Sequence, residues 1–187
     1  MIKAPNFLQD ARRLLTKQGF ASSDVWYHGT SSALIDSINA QGLLRSGDKA
    51  LQEAIKKTMA TIGDSYTKSI EPVFLTQSKE LAFYWAEQTI KSRNARFAAD
   101  EQAVVFKMAL SERLNAQVKP DVGAASLLLT KEGENYMAYL GEIYESNGFG
   151  VPDIDLRQAE RMEYLDTLGM AYINADIDAV YLSIISN

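Results

Sequence analysis

Residues 26–31, Trp-Tyr-His-Gly-Thr-Ser, group side chains that could bind a polar ligand. His28, the single histidine of the chain, ends a short apolar run, and Gly29 lets a ligand approach the backbone because it has no side chain. The hydroxyls and the predicted helix N-terminus that follow add free backbone N–H groups and a positive dipole end. This grouping suits a ligand with ribose hydroxyls, an amide or phosphates. The alternative is that His28 satisfies a strand end and Ser31 is an ordinary helix cap.

The amino-acid composition excludes several classes of catalytic and metal-binding site. The 187 residues include no Cys and one His, which excludes thiolate zinc sites, disulfides, a Cys nucleophile and two-His metal sites, so we expect no metal. The sequence contains no phosphate-binding P-loop, dinucleotide glycine motif or zinc-protease HExxH motif. Residues 71–187 carry ten basic and eighteen acidic side chains, which disfavours a broad nucleic-acid-binding surface. Residues 1–70 carry nine basic and six acidic side chains, so a local positively charged patch at the entrance of a site remains possible in this part of the chain.

The cellular location is predicted to be cytoplasmic. No run approaches the roughly 20 apolar residues that a membrane-spanning helix needs, so we expect no membrane association. The N-terminal residues have no apolar core and carry Asp10, which argues against a signal peptide. The absence of Cys also fits a reducing compartment.

The elements around His28 mix helices and strands without regular alternation, which predicts an α+β domain around a small, mostly antiparallel or split sheet. We expect a single domain over residues 1–187, with an N-terminal helix in residues 1–22 packed on it. The predicted strands are 24–28 (ending at Gly29), 72–76, 103–110, 170–173 and 180–185. The predicted helices are 5–19, a segment from Ser31 to Gly42, 48–68, 79–93 and 124–147 with a break at Gly133.

The segment Tyr-His-Gly-Thr-Ser at 27–31, followed by Leu34, Ile38 and Gly42-Leu43, resembles the first core motif of the ADP-ribosyltransferase superfamily. That superfamily includes poly(ADP-ribose) polymerases, bacterial toxins and RNA 2′-phosphotransferases. Residues 73–78, followed by Ala82-x-Tyr84-x-Ala86, are similar to its second motif, and residues 169–182 are similar to its closing strands. Over about residues 25–185, the resemblance implies a split β-sheet clamp that holds NAD as co-substrate.

The resemblance also implies roles for single residues in binding NAD. His28 matches the histidine that bonds the adenosine ribose, Gly29 the residue whose backbone holds the nicotinamide carboxamide, and Thr30 the adjacent hydroxyl. Phe74 falls at the aromatic position of the second motif, where polymerase-like members have Tyr, so polymer synthesis is disfavoured. Tyr84 matches the aromatic that stacks on nicotinamide.

Two further positions complete the expected NAD site. Thr76, in the second motif, is expected to contact NAD. Arg45, just past Gly42-Leu43, could bind the pyrophosphate, since arginine suits a phosphate clamp. A lone arginine on the surface is the alternative.

A carboxylate is the third functional position of the superfamily, normally a Glu on a late strand that bonds the nicotinamide ribose. It would stabilise the oxocarbenium-like charge that develops when the nicotinamide bond breaks. Glu163 is favoured because it lies between apolar neighbours, and Glu160 and Asp166 are the other candidates; each could instead be a solvated helix charge. Glu160 and Glu163 are three residues apart, so no Glu-x-Glu pair is present, which argues against arginine-directed toxins.

The resemblance therefore predicts an NAD-dependent mono-ADP-ribosyltransferase. It would move ADP-ribose to a protein or nucleic-acid acceptor and release nicotinamide, with Glu163 and His28 as catalytic residues. The small size suggests a bacterial or phage toxin or effector, with an antitoxin among its partners. The alternatives are an enzyme like the RNA 2′-phosphotransferases, an inactive NAD- or ADP-ribose-binding module of the same fold, and an α+β interaction domain unrelated to NAD.

Overall fold

The computed structural model describes residues 15–21, 23–61 and 70–185. The first described element is a small hairpin of strands β1 (Leu15–Thr16) and β2 (Gly19–Phe20), which a turn at Lys17-Gln18 joins, and Gly19 begins β2 at φ 109°. The helix predicted over 5–19 therefore does not include residues 15–19. Phe20 is buried beside the Tyr144 ring, and this long-range packing overrides the local helical pattern. Residues 5–14 of that predicted helix lie outside the described residues.

Two three-stranded antiparallel sheets form the centre of the fold, in the orders β3-β5-β8 and β4-β7-β6. The α+β class predicted from the sequence is confirmed. The strands are β3 (Val25–Ser31), β4 (Val73–Leu75), β5 (Ala103–Ala109), β6 (Lys119–Pro120), β7 (Ala171–Ile173) and β8 (Leu182–Ile185).

The helices surround these sheets, and several of their ends follow local signals. They are α1 (Ile35–Gln41), α2 (Lys49–Thr61), α3 (Lys79–Phe97), α4 (Glu112–Asn115), α5 (Ala124–Leu128), α6 (Lys131–Ser146) and α7 (Glu163–Asp166). Ser78 caps α3 by accepting a hydrogen bond from the Leu81 N–H at 3.3 Å. Gly42 ends α1 at φ 79°, as its position in the sequence predicted.

The break predicted near Gly133 is present but lies a few residues earlier. α5 ends at Leu128, and Thr130 caps α6 by accepting from the Gly133 N–H at 3.3 Å. Gly133 therefore lies in the first turn of the second helix. The helix predicted over 48–68 is present as α2 from Lys49 to Thr61, the last described residue of this part of the chain, and residues 62–69 lie outside the described residues.

Strand β3 continues past the end that Gly29 was predicted to impose. Its pairing with β5 runs from Val25 opposite Ala109 to Ser31 opposite Ala103, with Gly29 opposite Val105. Pairing along the full length of β5 outweighs the weak strand preference of one glycine. As a result, His28 lies in the middle of β3 rather than at its end.

The core lies on both sides of the sheets. Between α1 and the two sheets, Trp26, Leu75, Phe106, Ile173 and Ile177 are buried. A second cluster joins α3 to α6 and includes Leu81, Tyr136, Leu140 and Leu168.

Candidate functional site

The two sheets meet through one residue pair and then separate. The Tyr27 N–H donates to the Thr76 carbonyl at 2.8 Å, and the Thr76 N–H donates back at 3.0 Å. Consecutive residues of a strand turn their backbone N–H and C=O groups to opposite edges, so every second residue faces the same edge. Gly29 therefore turns its N–H and C=O to the same edge as Tyr27, toward β4.

The backbone of Gly29 faces the opening between the sheets without a partner there. The β4 residue that would pair with it in this register is Phe74, but the Phe74 carbonyl is taken by the His28 ring at 2.8 Å. Outside the β3–β5 ladder, no described residue forms a hydrogen bond with the Gly29 N–H or C=O. Gly29 thus offers one donor and one acceptor side by side.

The His28 ring has a defined tautomer because a carbonyl can only accept. Its Nδ1–H donates to the Phe74 carbonyl, so Nε2 of the neutral ring carries the lone pair. Burial lowers the pKa of His28 below its ordinary 6.5, and the Phe74 hydrogen bond only partly opposes this. His28 is therefore neutral near pH 7, with Nε2 available to accept a hydroxyl hydrogen.

Two cavities adjoin at this point. Their volumes are about 590 Å³ and 290 Å³, and both are lined by His28, Gly29, Leu51, Phe74 and Thr89. The larger volume lies in the range of small-molecule sites. An elongated ligand could therefore extend through both cavities past His28.

The larger cavity has an apolar wall with a few polar groups. One face of α3 contributes Ala82, Trp85, Thr89 and Ser92, which recur at helical spacing. Thr76, predicted to contact NAD, lines this cavity and is only 3% exposed. The polar groups can orient a ligand, and the apolar wall supplies contact area.

The aromatic of α3 that lines the larger cavity is Trp85, which sequence reasoning had not selected. Tyr84 turns toward α6, with its ring 5.4 Å from that of Tyr136 and 5.1 Å from that of Tyr139. It is not among the residues lining either cavity, so its predicted stacking role stays a prediction. Residues three apart share one face of a helix, so the spacing from Ala82 in the second motif could have indicated Trp85 rather than Tyr84.

Phe74 and Thr30 both lie at the cavities, and their predicted roles in binding NAD stay predictions. Phe74 is 48% exposed and lines both cavities, whereas its neighbours on β4 point into the core. Thr30 is 3% exposed and lines the smaller cavity. Segment 28–30 and Phe74 are therefore brought together by the fold.

Arg45 lies outside both cavities. Its backbone N–H donates to Asp176 Oδ1 at 2.8 Å, and its Nε lies 3.6 Å from the same oxygen. Its sequence neighbours Leu44 and Ser46 line the smaller cavity. Among the described residues that line the two cavities, none is a lysine or an arginine.

The three acids predicted as catalytic candidates also lie elsewhere. Glu160 and Glu163 are exposed, and neither they nor Asp166 line a cavity. Burial raises the pKa of Asp166, whose main chain lies close to Gly19. The catalytic role of Glu163 stays a prediction.

The acidic residue that lines the larger cavity is instead Asp121, which follows β6. Asp121 was not among the acids predicted from the sequence. An acidic residue directly after a strand end was the available signal. Burial raises the pKa of Asp121, while hydrogen bonds from the backbone of Gly123 and Ala124 oppose that rise.

Gly29 is also required by the packing of α3. A Cβ at this position would lie 1.9 Å from the Ala82 carbonyl oxygen and 2.7 Å from the Ala86 nitrogen. The helix therefore contacts β3 directly at Gly29. The missing side chain thus serves helix packing on one side of the strand, while the backbone groups at its edge remain available.

A buried ion network holds α2 at the cavities. The Arg93 Nε lies 2.5 Å from Glu101 Oε2, and its Nη2 lies 3.1 Å from Glu101 Oε1. Arg93 also contacts the Asp48 carboxylate, and Asp48 accepts from the Leu51 N–H at 3.0 Å at the start of α2. This network positions Leu51, which lines both cavities. It raises the pKa of Arg93 and lowers that of Glu101.

Neither a metal cluster nor a membrane-spanning helix occurs in the described parts of the chain. No group of three or more His, Asp or Glu side chains there could hold a metal ion. The helices within these ranges are too short or too polar to cross a bilayer. Comparisons with protein-family models, curated proteins and solved structures give no match for this chain.

Proposed function

We propose that the chain is an NAD-dependent mono-ADP-ribosyltransferase. The observation that carries this proposal is the pairing of the open Gly29 backbone with the free His28 Nε2 at the junction of two cavities. A primary carboxamide has one acceptor and one donor on the same edge, which matches the Gly29 N–H and C=O. A ribose hydroxyl donates to His28 Nε2.

NAD extends through both cavities in this proposal. Nicotinamide and its ribose occupy the larger cavity, where Trp85 and Phe74 supply aromatic surface. Adenosine occupies the smaller cavity, whose lining residues include Thr30 and Ser37. The separation of the two sheets beyond the Tyr27–Thr76 pair supports the split clamp that the resemblance implies.

The reaction transfers one ADP-ribose unit to a macromolecular acceptor. The bond between the ribose C1′ and the nicotinamide nitrogen breaks, and its electron pair neutralises the pyridinium. A nucleophile on a protein or nucleic acid then forms a bond to C1′. Action as a cytoplasmic toxin or effector with an antitoxin partner belongs to the same proposal and rests on the resemblance.

A second candidate is an inactive NAD- or ADP-ribose-binding module. The exposed positions of Glu160 and Glu163, away from both cavities, favour it. The RNA 2′-phosphotransferase alternative has less support, since the described lining residues include no basic side chain that would bind the RNA 2′-phosphate.

Nicotinamide release from NAD by the purified protein, with cell lysate as acceptor source, tests the proposal. We expect release by the wild type, loss of release in His28→Ala, and transfer of label from the adenylate phosphate into the protein or nucleic-acid fraction. The unfolding temperature of His28→Ala without NAD serves as the folding control. An NAD-induced rise in unfolding temperature without release would favour the binding module. Neither release nor a shift would refute both candidates.

A further inference from the structure

We infer that Asp121 is the catalytic carboxylate of the larger cavity and faces the ribose carbon from which nicotinamide leaves. This inference rests on the proposed function and adds a residue that the sequence resemblance did not select. Among the described residues lining that cavity, Asp121 alone carries a carboxylate. The departing nicotinamide leaves a cationic ribose, and a low-dielectric cavity makes a nearby anion most effective.

The β4-β7-β6 sheet brings Asp121 to the cavity. Pro120 pairs with Ala171, and the Asp121 N–H then donates to the Met170 carbonyl at 3.0 Å. On the other side of β7, Leu75 pairs with Ala171. Asp121, Met170 and Thr76 therefore line one wall of the larger cavity, which extends to His28 and Gly29.

The Asp121 carboxylate is held by its own turn. Its Oδ1 accepts from the Gly123 N–H at 3.0 Å, and the backbone of Ala124 also bonds to the carboxylate. A Cβ on Gly123 would lie 3.1 Å from Oδ1, so a larger residue there would crowd the carboxylate. No described side chain forms an ion pair with Asp121. Backbone donors therefore orient the carboxylate, and no described cation neutralises it. Its charge is thus available to stabilise a cationic intermediate.

The C1′–N bond breaks, its electron pair passes to the nicotinamide ring nitrogen, and positive charge develops over C1′ and the ring oxygen of the ribose. The Asp121 carboxylate stabilises that charge. The acceptor forms its bond to C1′, and the proton it loses passes to Asp121 and from there to water.

The test compares Asp121→Asn with the matched surface variant Asp153→Asn, whose side chain is exposed and outside both cavities. We expect Asp121→Asn to keep the NAD-induced rise in unfolding temperature and to lose about 100-fold or more in nicotinamide release. Asp153→Asn should match the wild type in both. Asp121→Ser removes the charge but keeps the turn, because the Ser hydroxyl can still accept from the Gly123 N–H. This variant replaces Asp121→Asn in the test if Asp121→Asn does not fold.

Added formate distinguishes a chemical role from a structural one. If Asp121 supplies the anion, formate should restore part of the release by Asp121→Ser and leave the wild type unchanged. Release by folded Asp121→Asn or Asp121→Ser within about twofold of the wild type would overturn the inference while the proposed function stands. If the wild type neither binds NAD nor releases nicotinamide, the proposed function itself fails.

Discussion

Replacing Gly29 with Ala tests the site and the fold together. The new Cβ would lie 1.9 Å from the Ala82 carbonyl oxygen, 2.9 Å from its carbon and 2.7 Å from the Ala86 nitrogen. All three atoms belong to the backbone of α3, so no side-chain rotation can relieve the overlap. Either α3 or β3 must move.

The size of the effect follows from the displacement. Ordinary contact begins at about 3.4 Å, so the helix must move about 1.5 Å away from the strand at this point. Overpacking of a well-packed interface lowers the free energy of unfolding by about 1–3 kcal/mol. We expect a value near the upper end, because the added methyl group overlaps backbone atoms. For a domain of this size, about 3 kcal/mol lowers the unfolding temperature by roughly 6–12 °C.

Thermal unfolding with and without NAD is the assay. Gly150→Ala is the matched control, because a Cβ there meets nothing within 4 Å and the substitution should leave the unfolding temperature unchanged or slightly raised. The Gly29 variant should also lose the NAD-induced shift, since its donor and acceptor move with the strand. An unfolding temperature within about 1 °C of the wild type would refute the packing described for Gly29 and α3.

Two further predictions concern charge. Arg93→Met should lower the free energy of unfolding by about 3–5 kcal/mol in urea, because it leaves the Glu101 carboxylate buried without its cation. Arg96→Met, on the exposed side of the same helix, should change it little, and equal effects of the two variants would contradict the network. The rise in unfolding temperature that NAD causes should be constant from about pH 8 to pH 7. It should decline as the pH falls below 6.5 through the lowered pKa of His28, because protonation removes the Nε2 acceptor. Unliganded stability should also fall in that window, because the unfolded chain binds this proton more readily, and His28→Gln should lack both changes.

Local signals in the sequence predicted the parts of the fold that depend on local bonds. The start of α3 at residue 79 and the end of α1 at Gly42 were predicted because each is determined by hydrogen bonds within a few residues. The end of β3 was wrong by three residues, because pairing with β5 carries the strand through Gly29. The helix predicted through residue 19 was wrong at its end, because burial of Phe20 favours a hairpin.

The candidate site likewise contains residues that could be predicted from local sequence and residues whose position depends on long-range packing. His28, Gly29 and Thr30 lie together because they are consecutive in one strand. Trp85 rather than Tyr84 lines the cavity because the rotation of α3 is determined by where it packs on β3 and α6. Asp121 reaches the cavity through the pairing of β6 with β7, which joins residues about 50 positions apart along the chain.

Contact between the Gly29 backbone and the carboxamide of nicotinamide is the central claim, and the amide resonance of Gly29 in glycine-labelled protein reports on it directly. We predict that NAD and free nicotinamide both move this resonance downfield, since its N–H gains a carbonyl acceptor. Nicotinic acid should not, because its carboxylate lacks the N–H donor and would face the Gly29 carbonyl. The Gly150 resonance should stay in place with every ligand. An unmoved Gly29 resonance at NAD concentrations that shift the unfolding temperature would contradict this binding mode.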